Sequence, residues 1–509
     1  MARTRRAKLF VWLRQHRHEL LDEPFQGELA GMYADQQVGQ PPVPPAMLAL
    51  VTILQAYTGA SDAEAVEASV MDRRWQLVLD CMDQATAPFS KATLVAFRAR
   101  LIGSGLDRRL VERTIRLYAQ TVGMPAARQV RVALDSSPLW GAGRVEDTIN
   151  LVGHALRKVL GVMVRQQGWG LAQGLPVVAA QAGVGELAAS SLKAALDLDW
   201  DDPATRDQAL GMVLGAMARL EAWVATQPGG ADPQVAAHLA TAHQLRHQDV
   251  EVGPEGAPTL RQGVARDRRI SIEDAQMRHG RKTRSVRVDG YKRHVVRDLD
   301  AGLIRAVGVT PANLPEATVA DQLQADLAHQ QARLAELHID RAYLASSMVR
   351  DRPEDLAIYC KAFPVRNGPR FAKTAFTLDF DRGVLSCPNQ VAMPFTLGGK
   401  VQFPAGVCAV CPLRERCTTS ARGRSVQIHP DERLLAELRA RQLTPHGRAR
   451  LRERVRVEHS LAHVGHWQGR RARYLGQRKN LFDLRRYAIV HNLHVIAHQR
   501  PATPSRQAA

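Results

Sequence analysis

Strand-like sequence is sparse in this chain and arrives in one order, and that order limits the fold more than any other feature. At Val130, Val132 and Leu134 apolar residues alternate with Arg131 and Ala133 and run into Asp135. Period-two alternation of this kind marks a strand. Strand character resumes only at SVRVDGYKRHVVRDL, from Ser285, and at GLIRAVGV, from Gly302. After an amphipathic helix near 317–330, the segment ELHI runs into Asp340. Strand, long insertion, two strands, helix, strand is the order of an α/β fold.

The remainder reads mostly as helix. From Glu19 to about Val122 apolar residues recur at helical spacing, broken by PPVPPA at 41–46 and by Gly-Ser-Gly at 103–105. Ser90 is expected to cap a helix bearing Leu94, Phe97 and Leu101 on one face, and Asp107 the helix after it. Arg98, Arg100, Arg108, Arg109, Arg113 and Arg116 decorate this pair. A DNA-binding helix-turn-helix and a plain helical bundle with a basic face account for it equally well. The stretch 149–250 is again helical, with Leu210, Val213, Leu214, Met217 and Leu220 on one stripe. Between Gly183 and Pro233 it carries eight acidic residues against three basic ones, a poor surface for phosphates. Short strands and turns surround the cysteines from Phe376 to Gln427, and helix returns from Pro430 to Ile496.

Charge points to the partner. The 509 residues include 69 Lys plus Arg against 50 Asp plus Glu, a net charge of +19 that suits a polyanion. Only 5% of residues are aromatic, which disfavours a single-strand binder built on many stacking platforms. The N-terminus lacks a signal-peptide core, and no apolar run approaches the ~18 residues of a membrane span. Six cysteines, four of them between Cys387 and Cys417, do not make an extracellular disulfide framework, so reducing cytoplasm is the expected compartment.

Phosphodiester chemistry needs negative charge neutralised at the attacking and leaving oxygens, which carboxylates achieve by holding two divalent metals ~4 Å apart. Asp135 and Asp340 each follow an expected strand, and neighbouring parallel strands would bring both to one sheet edge. Aspartate after a strand is more often a turn residue or cap. Glu146 and Asp147 are rival candidates in the first loop. A third element is the helix pattern from Arg452, where Arg454 and Glu458 lie four apart on one face. The carboxylate would hold metal while the guanidinium holds phosphate; the bland alternative is an exposed ion pair.

Taken together, the Asp135 strand with its DSS start, the GYK strand at 290–292, HID ending at Asp340, and a late Arg-x3-Glu helix leading into RYLGQRKN resemble bacterial insertion-sequence transposases of the DDE class. The resemblance implies an RNase H-like catalytic core in which Asp135, Asp340 and Glu458 hold two Mg2+ or Mn2+ ions. It implies cleavage at the element ends by activated water, then attack of the freed 3′-hydroxyl on target DNA. The partners would be double-stranded DNA and, on that DNA, a second copy in a homodimer, at the nucleoid in the cytoplasm. A related branch carries Tyr-x2-Arg-x3-Glu-x6-Lys, but Leu451 stands at the Tyr position and Gly465 at the Lys position. Lys479 or a neighbouring arginine would have to replace that cation. A catalytically inactive DNA-binding protein and a nuclease without strand transfer are the competing readings.

Cys387, Cys408, Cys411 and Cys417 give C-x20-C-x2-C-x5-C, close to zinc-ribbon spacing. Four thiolates would close a structural Zn2+ site in a segment with little core of its own; reduced metal-free thiols are the alternative. Cys81 and Cys360 read as core. From Arg433 to Arg486 fifteen Lys or Arg face four acidic residues. In this stretch Arg454, Arg470, Arg471, Arg473 and Lys479 are expected to contact DNA, as are Arg98 and Arg109 upstream. Trp467 and Tyr474 among them are expected to pack beneath the helix more than to stack on bases.

The expected organisation is therefore a helical DNA-binding region over 1–125, the first part of an RNase H-like core over 126–148 and a helical insertion over 149–270. The second part of the core follows over 271–350. A Cys-rich insertion then occupies 351–430, the catalytic and basic helices 431–498, and a disordered tail 499–509.

Overall fold

The computed structural model describes residues 7–34, 41–122, 129–202, 204–253 and 256–498. The tail expected at 499–509 lies outside them. Among the described residues seven helices lie between Lys8 and Val122, the last two being α1 (Lys91–Gly103) and α2 (Leu106–Val122). Then come β1 (Gln129–Trp140), the insertion opening with α3 (Thr148–Gln166), β2 (Arg278–Arg281), β3 (Arg287–Asp298), β4 (Ile304–Pro311), α4 (Ala320–His329), β5 (Arg333–Ile339) and β6 (Ala357–Cys360). The C-terminal part holds α5 (Pro445–Glu453), α6 (Val455–Gln468) and α7 (Gln477–Ala497).

The six strands form one mixed sheet in which β3, β1, β5 and β6 are successive neighbours. β1 runs antiparallel to β3 and parallel to β5, and β5 parallel to β6. β2 and β4 share the outer edge of β3, β2 pairing with 287–290 and β4 with 291–297. Alternation along β1 sorts its side chains between two cores. Val130, Val132 and Leu134 pack under α4 with Leu323 and Leu327, while Ala133 faces the other side. That other side is a single apolar core running from Leu9 and Phe10 through the N-terminal helices to Val295, Val307 and Val309 of the sheet and Leu484 to Ile496 of α7. The N-terminal helices are thus built onto the sheet through α7. The helices from α3 to Asp249, by contrast, have their own core, from Leu151 and Leu156 to Leu245.

Three expectations change. β1 does not stop at Asp135: its antiparallel pairing with β3 continues to Trp140 opposite Gly290, so the first half of the expected loop is strand. Gly290 makes this possible, because at φ 150° its Cβ would lie 2.2 Å from the Gly141 nitrogen. Asp107 does not cap α2; it is 1% exposed and bonds Arg478 and Arg485 of α7. Arg98 is buried and its guanidinium grips Asp62 at 2.5 and 2.7 Å, while Arg109 forks onto Glu28 and Glu112. Those partners leave Arg98 no fork for a phosphate and hold Arg109 between Glu28 of an earlier helix and Glu112 of its own. Ser90 caps α1 as expected, in a reciprocal capping box with Thr93.

Candidate active site

The geometry of the site follows from where β5 ends. Its parallel pairing with β1 covers Gln129 to Ala133, and β5 finishes at Ile339. Beyond Ala133 that flank of β1 is open, and Asp135 stands at the opening. Asp340 follows β5 directly, and its carboxylate accepts from the Ala342 amide at 3.3 Å. Both aspartates line one cavity of about 200 Å³, together with Ser136, Ser137, Lys292, Glu316 and the Arg281–Lys282 pair.

The third carboxylate arrives on the face that Asp135 shares with Ala133. Arg454, at the junction of α5 and α6, donates to Asp135 Oδ2 at 2.5 Å and to Glu458 Oε1 at 2.8 Å. It therefore ties the two acids together, and Asp340 contributes to its field. Burial holds the Asp135 carboxyl above the usual carboxylate range, against the Ser136 amide and the Arg454 guanidinium, which favour its charged form.

Sequence reasoning missed Glu316. It opens a short 3-10 turn ahead of α4 and reads along the chain as an ordinary acidic first-turn residue. In space it shares the cavity of Asp135 and Asp340; burial raises its carboxyl, Ser136 and Lys292 oppose, and the two aspartates raise it further. Beneath lies a fully buried His294, pushed down to about 3 by burial and so neutral. Its ring nitrogens meet Tyr343 Oη at 2.8 Å and Thr310 Oγ1 at 2.9 Å. This network fixes the floor under Ser136 without adding charge.

The rival acids of the first loop are taken up elsewhere. Glu146 bonds His154 at 2.8 Å, while Asp147 caps α3 through the Asn150 amide and pairs with Lys193 at 2.8 Å. The space at Gly465 is occupied from across the sheet: a Cβ there would lie 2.8 Å from Arg293 Nη2. Arg293 donates to Ser137 Oγ at 2.7 Å and Gln468 Oε1 at 2.9 Å, so a buried arginine of β3 pins α6 to β1 where the related signature has lysine.

Arg470, Arg471 and Arg473 in the loop between α6 and α7, and Lys479 in the first turn of α7, are all exposed. Arg471 donates to the carbonyls of Gly141 and Ala142, and Arg473 to that of Ala60. Among the described residues neither Arg470 nor Lys479 has a carboxylate partner. Trp467 stacks on His494 with centroids 5.0 Å apart, and Tyr474 packs against Phe482, so both aromatics belong to the protein's own packing.

The four clustered cysteines line one small cavity of about 30 Å³ and none forms a disulfide. Burial pushes the Cys417 thiol up, Arg424 opposes, and Cys408, Cys387 and Cys411 add to the rise. Among the described residues, no three His, Cys, Asp or Glu side chains are placed as a ready metal-binding set, here or at the carboxylates. The donor types still fit: the hard carboxylate oxygens of Asp135, Glu316 and Asp340 around one cavity suit Mg2+ or Mn2+, and four thiols around another suit Zn2+.

Comparison with known families matches two segments of the chain. Residues 386–497, which include Glu458, match the family described as transposase DDE domain, and residues 13–100 match a transposase domain, DUF772. No curated protein and no solved structure matches the chain. The DDE match indicates a DNA-cleaving, strand-transferring enzyme and implies an RNase H-like core. The two transposase matches, one toward each end of the chain, support an insertion-sequence DDE transposase. No helix among the described residues is long and apolar enough to cross a membrane.

Proposed function

We propose that Asp135, Asp340 and Glu458 are the catalytic carboxylates of this transposase and hold two Mg2+ or Mn2+ ions. When bound, such ions supply charge neutralisation at the attacking and leaving oxygens of the phosphodiester. The observation that carries the reading is the convergence of Asp135 and Asp340 on one cavity while Arg454 joins Asp135 to Glu458. Arg454 acts as the counter-ion of the acids before DNA arrives and turns its guanidinium to a phosphate afterwards. Arg293 and Gln468 keep the helix bearing Glu458 seated on β1.

In this reading 126–148 and 271–350 are two parts of one core, 149–270 an insertion and 351–430 a Cys-rich insertion holding one structural Zn2+ through Cys387, Cys408, Cys411 and Cys417. Arg470, Arg471, Arg473 and Lys479 meet double-stranded DNA, element ends and target alike. Two copies act together on that DNA at the nucleoid, because transposition joins two ends. Asp135→Ala, Asp340→Ala and Glu458→Ala should each abolish metal-dependent nicking and joining of DNA carrying the element's ends while leaving DNA affinity nearly intact. Arg454→Ala should weaken both. Full activity in any carboxylate variant would remove that residue from the site.

A further inference from the structure

The catalytic cavity is not closed. On one side it shares Arg281, Lys292 and Ala312 with a second depression of about 460 Å³ along the β2–β3 hairpin. On the other side Asp340 is also a wall of a groove of about 810 Å³ between α5 and the end of β6. Three depressions in a row thus cross the sheet edge, with the aspartates in the middle.

Both outer stretches are basic. The segment Arg278–Arg287 has five Lys or Arg and no acid. At its stem the polar groups are paired, Arg278 with Asp267 and His279 with Asp289. Toward the tip Arg281, Lys282, Arg284 and Arg287 are exposed, and none has a carboxylate partner among the described residues. The hairpin is also seated firmly, since a Cβ on Gly280 would lie 2.2 Å from the Ala312 carbonyl oxygen. Across the site, exposed Lys361, Arg448 and Arg452 line the wide groove, whose only acidic wall residue is Asp340. Cations without carboxylate partners, grouped on both sides of the site, cost repulsion in the free protein that a polyanion relieves.

We propose that DNA crosses the catalytic carboxylates along this one basic trough, held by the β2–β3 hairpin on one side of the scissile phosphate and by the Lys361, Arg448 and Arg452 wall on the other. The proposal rests on the transposase reading but concerns residues that neither the DDE carboxylates nor the α6–α7 loop includes. The contacts are to phosphates, because what both sides of the path offer is Lys and Arg side chains.

The test is the salt dependence of binding of the full chain to a fluorescent 40-base-pair duplex of arbitrary sequence. One variant carries Arg281→Ala, Lys282→Ala and Arg287→Ala; a second carries Lys361→Ala, Arg448→Ala and Arg452→Ala. A control removes three exposed cations from the insertion: Lys158→Ala, Arg165→Ala and Arg246→Ala. Each phosphate contact contributes about 0.9 to the log–log slope, so each trough variant should flatten it by roughly 2 to 3, and the control should not. An unchanged slope in either trough variant overturns the proposal. Equal flattening in the control also overturns it, since the slope would then report net charge alone. Nicking by the carboxylate variants is measured in parallel: retained nicking defeats the active-site reading, whereas unmoved slopes with nicking abolished defeat the trough alone.

Discussion

Replacing Asp107 by alanine should loosen the join between the N-terminal helices and the C-terminal helix. Its carboxylate, 1% exposed, accepts from Arg478 at 2.6 and 2.8 Å and from Arg485 at 3.0 Å. Arg485 is 7% exposed and shares itself with Asp326 at 3.2 and 3.3 Å. Breaking a buried pair by removing one partner costs ~3–5 kcal/mol, because a buried charge is left uncompensated. The low end applies: Arg478, 40% exposed, can return to water, and Arg485 keeps Asp326. A loss of about 3 kcal/mol corresponds to roughly a hundredfold faster exchange of the α2 amides through openings that separate α2 from α7. Native-state hydrogen exchange reads this directly, without requiring the whole chain to unfold in one step. Adding Arg485→Ala should restore little, because it leaves Asp326 buried without its arginine. A rise below about fivefold, the cost of an exposed pair near 1 kcal/mol, would refute the reasoning.

Other consequences are equally open to measurement. Burial pushes His491 and His494 each down to about 4, below the ~6.5 of an unfolded histidine. The unfolded chain therefore binds more protons in this range, and stability should fall as pH drops from about 6.5 toward 4. His494→Phe, which also removes a buried nitrogen lacking a hydrogen-bond partner, should reduce the shift in urea midpoint between pH 7 and pH 5. Gly465→Lys should destabilise by ~1–3 kcal/mol and loosen α6, since Arg293 already fills that space; an unchanged melting temperature would contradict this. Elemental analysis should find about one Zn2+ per chain, and chelation should expose residues 380–420 to protease before the core; none bound, with four freely alkylated thiols, would retire the zinc.

Much of the scaffold was legible because alternation and helical spacing are local. The VRVAL alternation, the ELHI strand and the Ser90 cap all emerge where the sequence puts them. What stayed hidden depends on partners far along the chain. Arg98 looks like one of a basic row until Asp62 claims it, and Asp107 looks like a cap until α7 brings two arginines to it. Ser136, Ser137 and Pro138 read as a turn because nothing local reveals that β3 supplies pairing as far as Gly290. The β2 segment RHGR has no apolar alternation at all; it is a strand because β3 pairs with it. Glu316 joins the aspartates only once β4 and β5 lie on opposite sides of β3 and β1.

The single core shared by the N-terminal helices, the sheet and α7 also sets a timetable. Between α2, ending at Val122, and α7, beginning at Gln477, the ribosome must add every strand of the sheet and all the helices that lie between. At ~5–20 residues per second this takes on the order of 20–70 s, during which the apolar faces of the first helices have no final seat. The insertion, with its separate core, can settle meanwhile. A nascent chain stopped before α7 would therefore emerge with an unclosed, sticky N-terminal half, and the enzyme becomes competent only as its last long helix leaves the exit tunnel.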